Sequence, residues 1–430
     1  MTTLDVSASQ PPSRLFGSSG LANCRSCSGS HLTTFLDLGS QPIANALLDE
    51  QQLADTEPRF PLELAFCHDC TLVQVTETIA PEVLFERDYP YYSSFSPALL
   101  AHSREHVQRI MAERALDADS LVVEVASNDG YLLGNFIDAG IPVLGIDPAA
   151  GPVAAARKRG VPTIQAFFGT ALARTLAAKG QLADVIIANN VAAHVDSIND
   201  FIEGFAILLK PDGFARLEVA YLRDLIEKCE FDTVYHEHLF YYSIGAFQRL
   251  LSRHGLYLND AERLSIHGGS LRLTTSKRPG QSARLAQLLQ EEAALGMGDL
   301  SYYLSFAARV EQLRHALHES VRQIRADGAR LAAYGAAAKG ATLLNYMKFE
   351  PGVVEYVVDR NPVKVGKYLP GVKVPIRPVE TLTSDRPDYV LLLAWNFAAE
   401  IIQQNQDYAA LGGRFILPIP EQPGSRDRFS

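Results

Sequence analysis

Within four consecutive positions, Tyr235-His236-Glu237-His238, the chain sets a phenol, two imidazoles and a carboxylate. Such groups move protons: an unperturbed imidazole titrates at about pH 6.5 and is a neutral base at physiological pH. The block sits in a longer run, with Phe231-Asp-Thr-Val before it and Leu-Phe-Tyr-Tyr-Ser243 after it. His-x-His also chelates metals, but a better ligand set stands elsewhere. Cys24-Arg-Ser-Cys27 and Cys67-His-Asp-Cys70 are two Cys-x-x-Cys pairs. Each pair turns two sulfurs toward one centre, and together they close a tetrahedral shell with no open position, the pattern of a structural zinc ion. A redox dithiol needs one such motif, so the duplication favours the metal and leaves acid/base work to the histidines. Cys229 stands apart and reads as an ordinary buried thiol.

A second set of chemical groups lies on glycine turns between apolar runs. Leu121-Val-Val-Glu-Val-Ala126 predicts a strand, Ser127-Asn-Asp-Gly130 a turn, Tyr131 to Ala139 a helix, and Pro142 to Ile146 a strand closing on Asp147. Further strands are expected ending near Ala166, over Asp184–Ala188 and over Phe214–Val219, which alternate with helices and imply a parallel sheet. A dinucleotide fingerprint needs G-x-G-x-x-G, and this turn has one glycine, so NAD is disfavoured. Strand-terminal acids and a short polar turn suit S-adenosylmethionine, a cation with ribose hydroxyls and no phosphate. Glu124, Ser127, Asn128, Gly130 and Asn190 are the expected cofactor contacts, with Asp147 on the ribose. The plain alternative is an unliganded domain whose acids are caps. Asn189-Asn-Val-Ala-Ala-His-Val195 brings His194 to the carboxyl edge of the sheet, where a packed core histidine is an equal reading. Ser265-Ile-His-Gly-Gly-Ser-Leu-Arg-Leu273 offers His267, Ser270 and Arg272 to a substrate, or is a simple hairpin bend.

The elements that must position these groups divide the chain. Residues 1–20 read as a flexible tail, 21–78 as a zinc-binding module, 79–280 as the S-adenosylmethionine domain, and 281–430 as a helical linker followed by a second Rossmann-like domain. In that last domain Gly335-Ala-Ala-Ala-Lys339-Gly340 opens a helix but has Ala341 where an ATP-binding loop requires Lys, so it is not an ATPase. Lys339, Asn361 and Lys364 could instead hold a nucleotide diphosphate, or belong to a solvated loop. At 430 residues, with 47% hydrophobic and 20% charged residues, the chain has ample material for several cores. A formal net charge of -10 repels a phosphate backbone, which excludes nucleic acid as an expected partner. No run is apolar enough to span a bilayer, and the amino terminus lacks a secretory signal, so a cytoplasmic monomer is expected.

The cysteine pairs, Glu124-Val-Ala-Ser-Asn-Asp-Gly130, Asn190-Val-Ala-Ala-His-Val195, the Tyr-His-Glu-His run, His267-Gly-Gly-Ser-Leu-Arg272 and Tyr334-Gly-Ala-Ala-Ala-Lys-Gly340 occur in the order seen in the S-adenosylmethionine-dependent sugar C-methyltransferases, which the chain resembles over residues 21–420. The resemblance implies an α/β protein: a small zinc-binding module, a central class I methyltransferase domain and a carboxyl-terminal Rossmann-like domain. It implies methylation of a carbon next to the ketone of a dTDP-linked keto-deoxysugar made for antibiotic glycosylation. The histidine matching His238 is then the base, with Tyr235 and Glu237 beside it and Tyr89 and His194 facing the sugar. Glu237 is expected to orient the base or stabilise its protonated form, and the last domain to grip the nucleotide. Ala126 and Tyr131 stand where Gly and Thr are common. The rival classes are an NAD-dependent nucleotide-sugar epimerase or dehydrogenase and a non-catalytic nucleotide-sugar-binding protein.

Overall fold

A computed structural model describes residues 21–79, 93–95 and 97–419. The tail 1–20 and Tyr89 lie outside the described residues, as does the side chain of His267.

Three sheets organise the chain. Strands β1 (Leu32–Pro42), β2 (Arg59–Cys67) and β3 (Val73–Val75) follow one another as an antiparallel sheet. The second sheet begins with β4 (Val122–Val125), whose four side chains are all buried, as befits a strand covered on both faces. It continues with β5 (Val143–Asp147), β6 (Thr163–Gln165), β7 (Ala183–Asn189) and β8 (Leu209–Ala220), the five strands running parallel to one another. A two-residue strand, β9 (Phe240–Tyr241), leaves the central domain and pairs with β3, supplying the fourth strand of the first sheet. An antiparallel hairpin, β10 (Tyr257–Leu264) and β11 (Ser270–Ser276), closes the second sheet against β8, giving seven strands in the order β10-β11-β8-β7-β4-β5-β6. The third sheet is wholly parallel: β12 (Leu331–Tyr334), β13 (Val357–Asp359), β14 (Ile376–Pro378), β15 (Tyr389–Leu392) and β16 (Arg414–Ile416), ordered β14-β13-β12-β15-β16.

In both parallel sheets the strand order reverses beside the first strand, β4 or β12, where open α/β sheets leave a crevice. Both glycine turns lie at that switch point. The long helix Leu300–Ala326 ties the bodies together. Its buried residues, Tyr303, Phe306, Val310, Leu313, Leu317, Val321 and Ile324, recur at three- and four-residue intervals along one face. That face shares one hydrophobic core with Phe35 and Phe66 of the first sheet and with Leu331 and Ala333 of the third. Ser243 caps the helix Ile244–Arg253, its Oγ accepting from the Ala246 N–H at 3.1 Å. The same helix start is held by the buried Glu292 carboxylate, which accepts from Ile244 N, Gly245 N and the Tyr221 hydroxyl.

Candidate active site

The two Cys-x-x-Cys turns are near copies of each other. In each, the residue after the second cysteine is left-handed, Ser28 at φ 62° and Thr71 at φ 62°, and donates its N–H back to the first cysteine's carbonyl at 2.8 Å. The four sulfurs lie within 4.8 Å of one another, and the Cys24–Cys70 and Cys27–Cys67 separations are both 3.6 Å. Sulfurs about 2.3 Å from a tetrahedral zinc stand about 3.8 Å apart, so the set fits that ion. Gln74 donates to Cys24 Sγ at 3.2 Å and the Gly29 N–H lies 3.4 Å from Cys27 Sγ, the secondary contacts a thiolate cluster needs.

At the carboxyl end of β4, three acids converge. Glu124 is buried, and burial in the first place, then the nearby Asp147 and Asp129, push its carboxyl well above the usual range. Its Oε2 and the Ser127 Oγ are buried with no hydrogen-bond partner among the described residues. Buried acids with unused acceptors call for a cation and hydroxyls, which S-adenosylmethionine has. Asp147 accepts from Asn128 N and Ala149 N, both at 2.9 Å, and so fixes the turn. Gly130 is left-handed at φ 76°, and a Cβ there would come within 2.7 Å of Val161 Cγ2. Ala126 adopts φ 57° without being glycine, a local strain of about 1 kcal/mol. Asn190 is also left-handed, at φ 54°, and its N–H binds the Glu218 carbonyl at 2.7 Å.

The proton-transfer cluster joins the segment around His238 to His194. His238 Nδ1 lies 3.2 Å from the Thr233 carbonyl, which can only accept, so Nδ1 carries the hydrogen and Nε2 the lone pair. The Tyr235 hydroxyl donates to that lone pair at 2.8 Å. The His194 ring meets the His238 ring edge-on at a centroid distance of 4.7 Å. Burial first, then His194 and, more weakly, Lys339, hold His238 well below the ordinary imidazole value, while burial lowers His194 to about 4. Both rings are therefore neutral at pH 7. Glu237 faces elsewhere: its Oε2 accepts from Asn45 Nδ2 at 3.0 Å, and burial raises its carboxyl to about 7 despite that bond. The expected orienting role of Glu237 on His238 thus falls to a backbone carbonyl. His236 is 1% exposed and bonds the Pro61 carbonyl at 3.0 Å, a packing contact.

Lys339 reaches this cluster from the third sheet's glycine turn. Its Nζ bonds Asn396 Oδ1 at 2.7 Å and lies 4.4 Å from the centre of the Trp395 ring, whose Nε1 donates to the buried Asp232 carboxylate at 2.7 Å. Burial lifts Asp232 to about 6 and Glu230 to about 8. Lys364 and Asn361 stand on a separate turn. Lys364 Nζ donates to the Ala336 carbonyl at 2.8 Å, and Asn361 is tied to Asp359 through its N–H. The Ala336 N–H of the glycine turn donates to Asp359 Oδ2 at 2.7 Å.

Arg272 lies away from the cluster. It is 5% exposed, bonds Glu218 Oε1 at 2.8 Å and faces Glu262 across 3.6 Å. His102 bonds both Glu218 oxygens, so that although burial raises this carboxyl, His102 and Arg272 bring it down to about 2. The Ser270 hydroxyl is buried and donates to the Ile266 carbonyl at 3.2 Å. The glycine pair before it passes close to carboxylates, Gly268 against Glu230 and Gly269 against Asp224, so protein side chains account for the missing Cβ atoms. Sequence reasoning missed Thr233, Asn45, Tyr241, Asp232 and Trp395. The first acts through its backbone, and the others are one-residue signals on distant elements.

A class I methyltransferase sheet with an acid-lined turn at its switch point, joined to a four-cysteine module, defines an S-adenosylmethionine-dependent methyltransferase. The chain belongs to the C-methyltransferase family, in which a zinc-binding amino-terminal domain and a distinct carboxyl-terminal domain flank the methyltransferase domain. Residues 265–420 match the family described as C-methyltransferase C-terminal domain, 99–260 a methyltransferase domain, and 24–85 a domain named for zinc binding. The C-methyltransferase NovU of Streptomyces niveus is 36% identical over 401 residues, 93% of this chain and 95% of that protein. Solved structures similar to part of the chain include the magnesium protoporphyrin IX methyltransferase of Synechocystis PCC 6803 with bound S-adenosylmethionine, at TM-score 0.32 and 17% identity over 42% of this chain and 82% of that one. A glycopeptide N-methyltransferase, MtfA, matches at TM-score 0.33 and 14% identity over 44% of this chain and 96% of that one. Among the described residues, no helix is long and apolar enough to cross a membrane.

Proposed function

We propose that this C-methyltransferase methylates the carbon next to the ketone of a dTDP-linked 4-keto-deoxysugar, with His238 as the base. The observation that carries the reading is the fixed tautomer of His238, whose Nε2 lone pair faces the Tyr235 phenol. A carbon becomes nucleophilic only when a proton α to a carbonyl is removed, and the electron pair then moves onto the carbonyl oxygen. His238 Nε2 takes that proton once the substrate displaces the Tyr235 hydroxyl. The freed Tyr235 O–H then donates to the developing enolate oxygen, with His194 and Tyr89 as further donors. Neutral rings and a neutral phenol suit this work, since no fixed charge must be discharged before the proton moves. When bound, S-adenosylmethionine supplies the electrophile, a methyl group on a sulfonium. Glu124, Ser127, Asn128, Gly130, Asp147 and Asn190 would hold it. Lys339, which faces the cluster, and Lys364 with Asn361 would hold the nucleotide end of the sugar. The zinc site is closed by four thiolates and serves structure. The test is incubation with methyl-labelled S-adenosylmethionine and a panel of dTDP-4-keto sugars, with the label located by NMR. Label on a ring carbon next to the ketone is expected. Label on oxygen or nitrogen, or no transfer to any keto sugar, overturns the reading.

A further inference from the structure

The zinc module touches the proton-transfer segment at almost every residue. His236 Nε2 bonds the Pro61 carbonyl, Glu237 accepts from Asn45, the Leu239 carbonyl accepts from Val75 N at 2.9 Å, and Phe240 and Tyr241 pair with Gln74 and Val73. Within 236–241 the His238 ring turns the other way, toward Thr233, Tyr235 and His194, and the Tyr241 hydroxyl also donates to the Thr233 carbonyl, at 3.4 Å. The module therefore forms one wall against which the base is presented. In that wall the Asn45 side chain hydrogen-bonds a titratable group, the Glu237 carboxyl. It lies three residues beyond the end of β1, in a turn closed by Ala46 N to the Ile43 carbonyl, between the buried Ala44 and Leu48. Its own side chain is exposed while the carboxylate it binds is 5% exposed.

We infer that Asn45 is a positioning residue for catalysis: its amide pins the Glu237 carboxylate to the wall formed by the zinc module, so that the adjoining His238 is presented to Tyr235 and the module is more than a structural appendage. This rests on the reading of His238 as the base. A hydrogen bond from an amide to a carboxylate favours the ionised form, and a buried carboxylate left without a donor takes up a proton instead. The Asn45 main-chain N–H also favours the ionised state. The Tyr241 phenol also faces Glu237 and burial keeps it uncharged at neutral pH, while His194, likewise kept neutral by burial, bonds the Glu237 main chain rather than its carboxylate. The donor amide is thus the nearby control on whether Glu237 carries charge.

The experiment uses the full-length, zinc-loaded enzyme as Asn45→Ala and Asn45→Asp, with His238→Asn in parallel. Because Asn45 is exposed, both variants are expected to keep zinc, S-adenosylmethionine affinity and thermal midpoint. Asn45→Ala should lower kcat about 10-fold at pH 7 with KM little changed, and the acid limb of the kcat profile should move up by about one pH unit. Asn45→Asp, which sets a like charge beside Glu237, should move it further. A wild-type acid limb in Asn45→Ala, with deuterium exchange lost in His238→Asn, overturns the Asn45 role and leaves the base assignment standing. Wild-type exchange in His238→Asn overturns the base assignment and the Asn45 role with it.

Discussion

His238 Nδ1 and the Thr233 carbonyl stand 3.2 Å apart, five residues from each other along the chain, and this contact decides which ring nitrogen can act. The turn that makes it is a short 3-10 helix, Phe231–Thr233, after which His238 N binds the Tyr235 carbonyl at 2.9 Å and folds the imidazole back over its own segment. A backbone acceptor cannot titrate, so the tautomer persists at any pH at which the ring is neutral.

His238→Asn should retain S-adenosylmethionine binding and lose solvent deuterium exchange at the carbon next to the ketone, with kcat reduced about 10²–10⁴-fold. Tyr235→Phe should keep part of that exchange while slowing methyl transfer about 10²–10³-fold, as loss of an enolate donor does. Isotope exchange measured without turnover separates the two. Wild-type exchange in His238→Asn would falsify the base assignment.

Glu230, Glu237 and Asp232 are raised by burial to about 8, 7 and 6. Carboxyls in the unfolded chain titrate near ~4, so between these limits the native state binds more protons than the unfolded one. The buried His106, His194 and His238, held below the imidazole value, act the other way until the unfolded imidazoles have lost their protons, so stability should fall as pH rises from about 7 to 8.5, the reverse of a salt-bridged carboxylate. Glu230→Gln should flatten this slope in urea midpoints measured across that range. An unchanged slope rejects the burial account.

Elemental analysis should find about one zinc per chain, held by Cys24, Cys27, Cys67 and Cys70. Zinc contributes roughly 10–16 kcal/mol of apparent binding energy in small structural sites, so chelation should unfold the module. Since β3 holds β9, activity should vanish with the metal, while S-adenosylmethionine affinity, set by the β4 turn, should change much less. Metal-free protein with full activity refutes this.

Arg272→Met should act through stability rather than substrate. It leaves Glu218 buried with one principal partner fewer, a loss of about 3–5 kcal/mol. Calorimetry should show the lowered midpoint, and KM for the sugar should hold among the surviving enzyme molecules. A raised KM at unchanged midpoint would instead place Arg272 on the substrate.

Local chemistry was legible in the sequence wherever short range decides it. The Cys-x-x-Cys turns, the strand that ends in Glu124, the single-glycine turn and the Ser243 cap each depend on neighbours within a few residues, and period-two and period-3.6 patterns place their elements. What the sequence did not contain was the company each side chain keeps. Two adjacent residues, Glu237 and His238, point to opposite walls because the segment between Val234 and Leu239 is pinned from outside by β3 and Pro61, so one finds Asn45 and the other Thr233. Arg272 and the Gly268-Gly269 pair read equally well as substrate contacts until the packed sheet filled their surroundings with Glu218, Glu230 and Asp224. Residue type fixes which chemistry is possible. Tertiary packing removes water and brings distant partners to hydrogen-bond range, and that choice of partner sets charge, tautomer and direction.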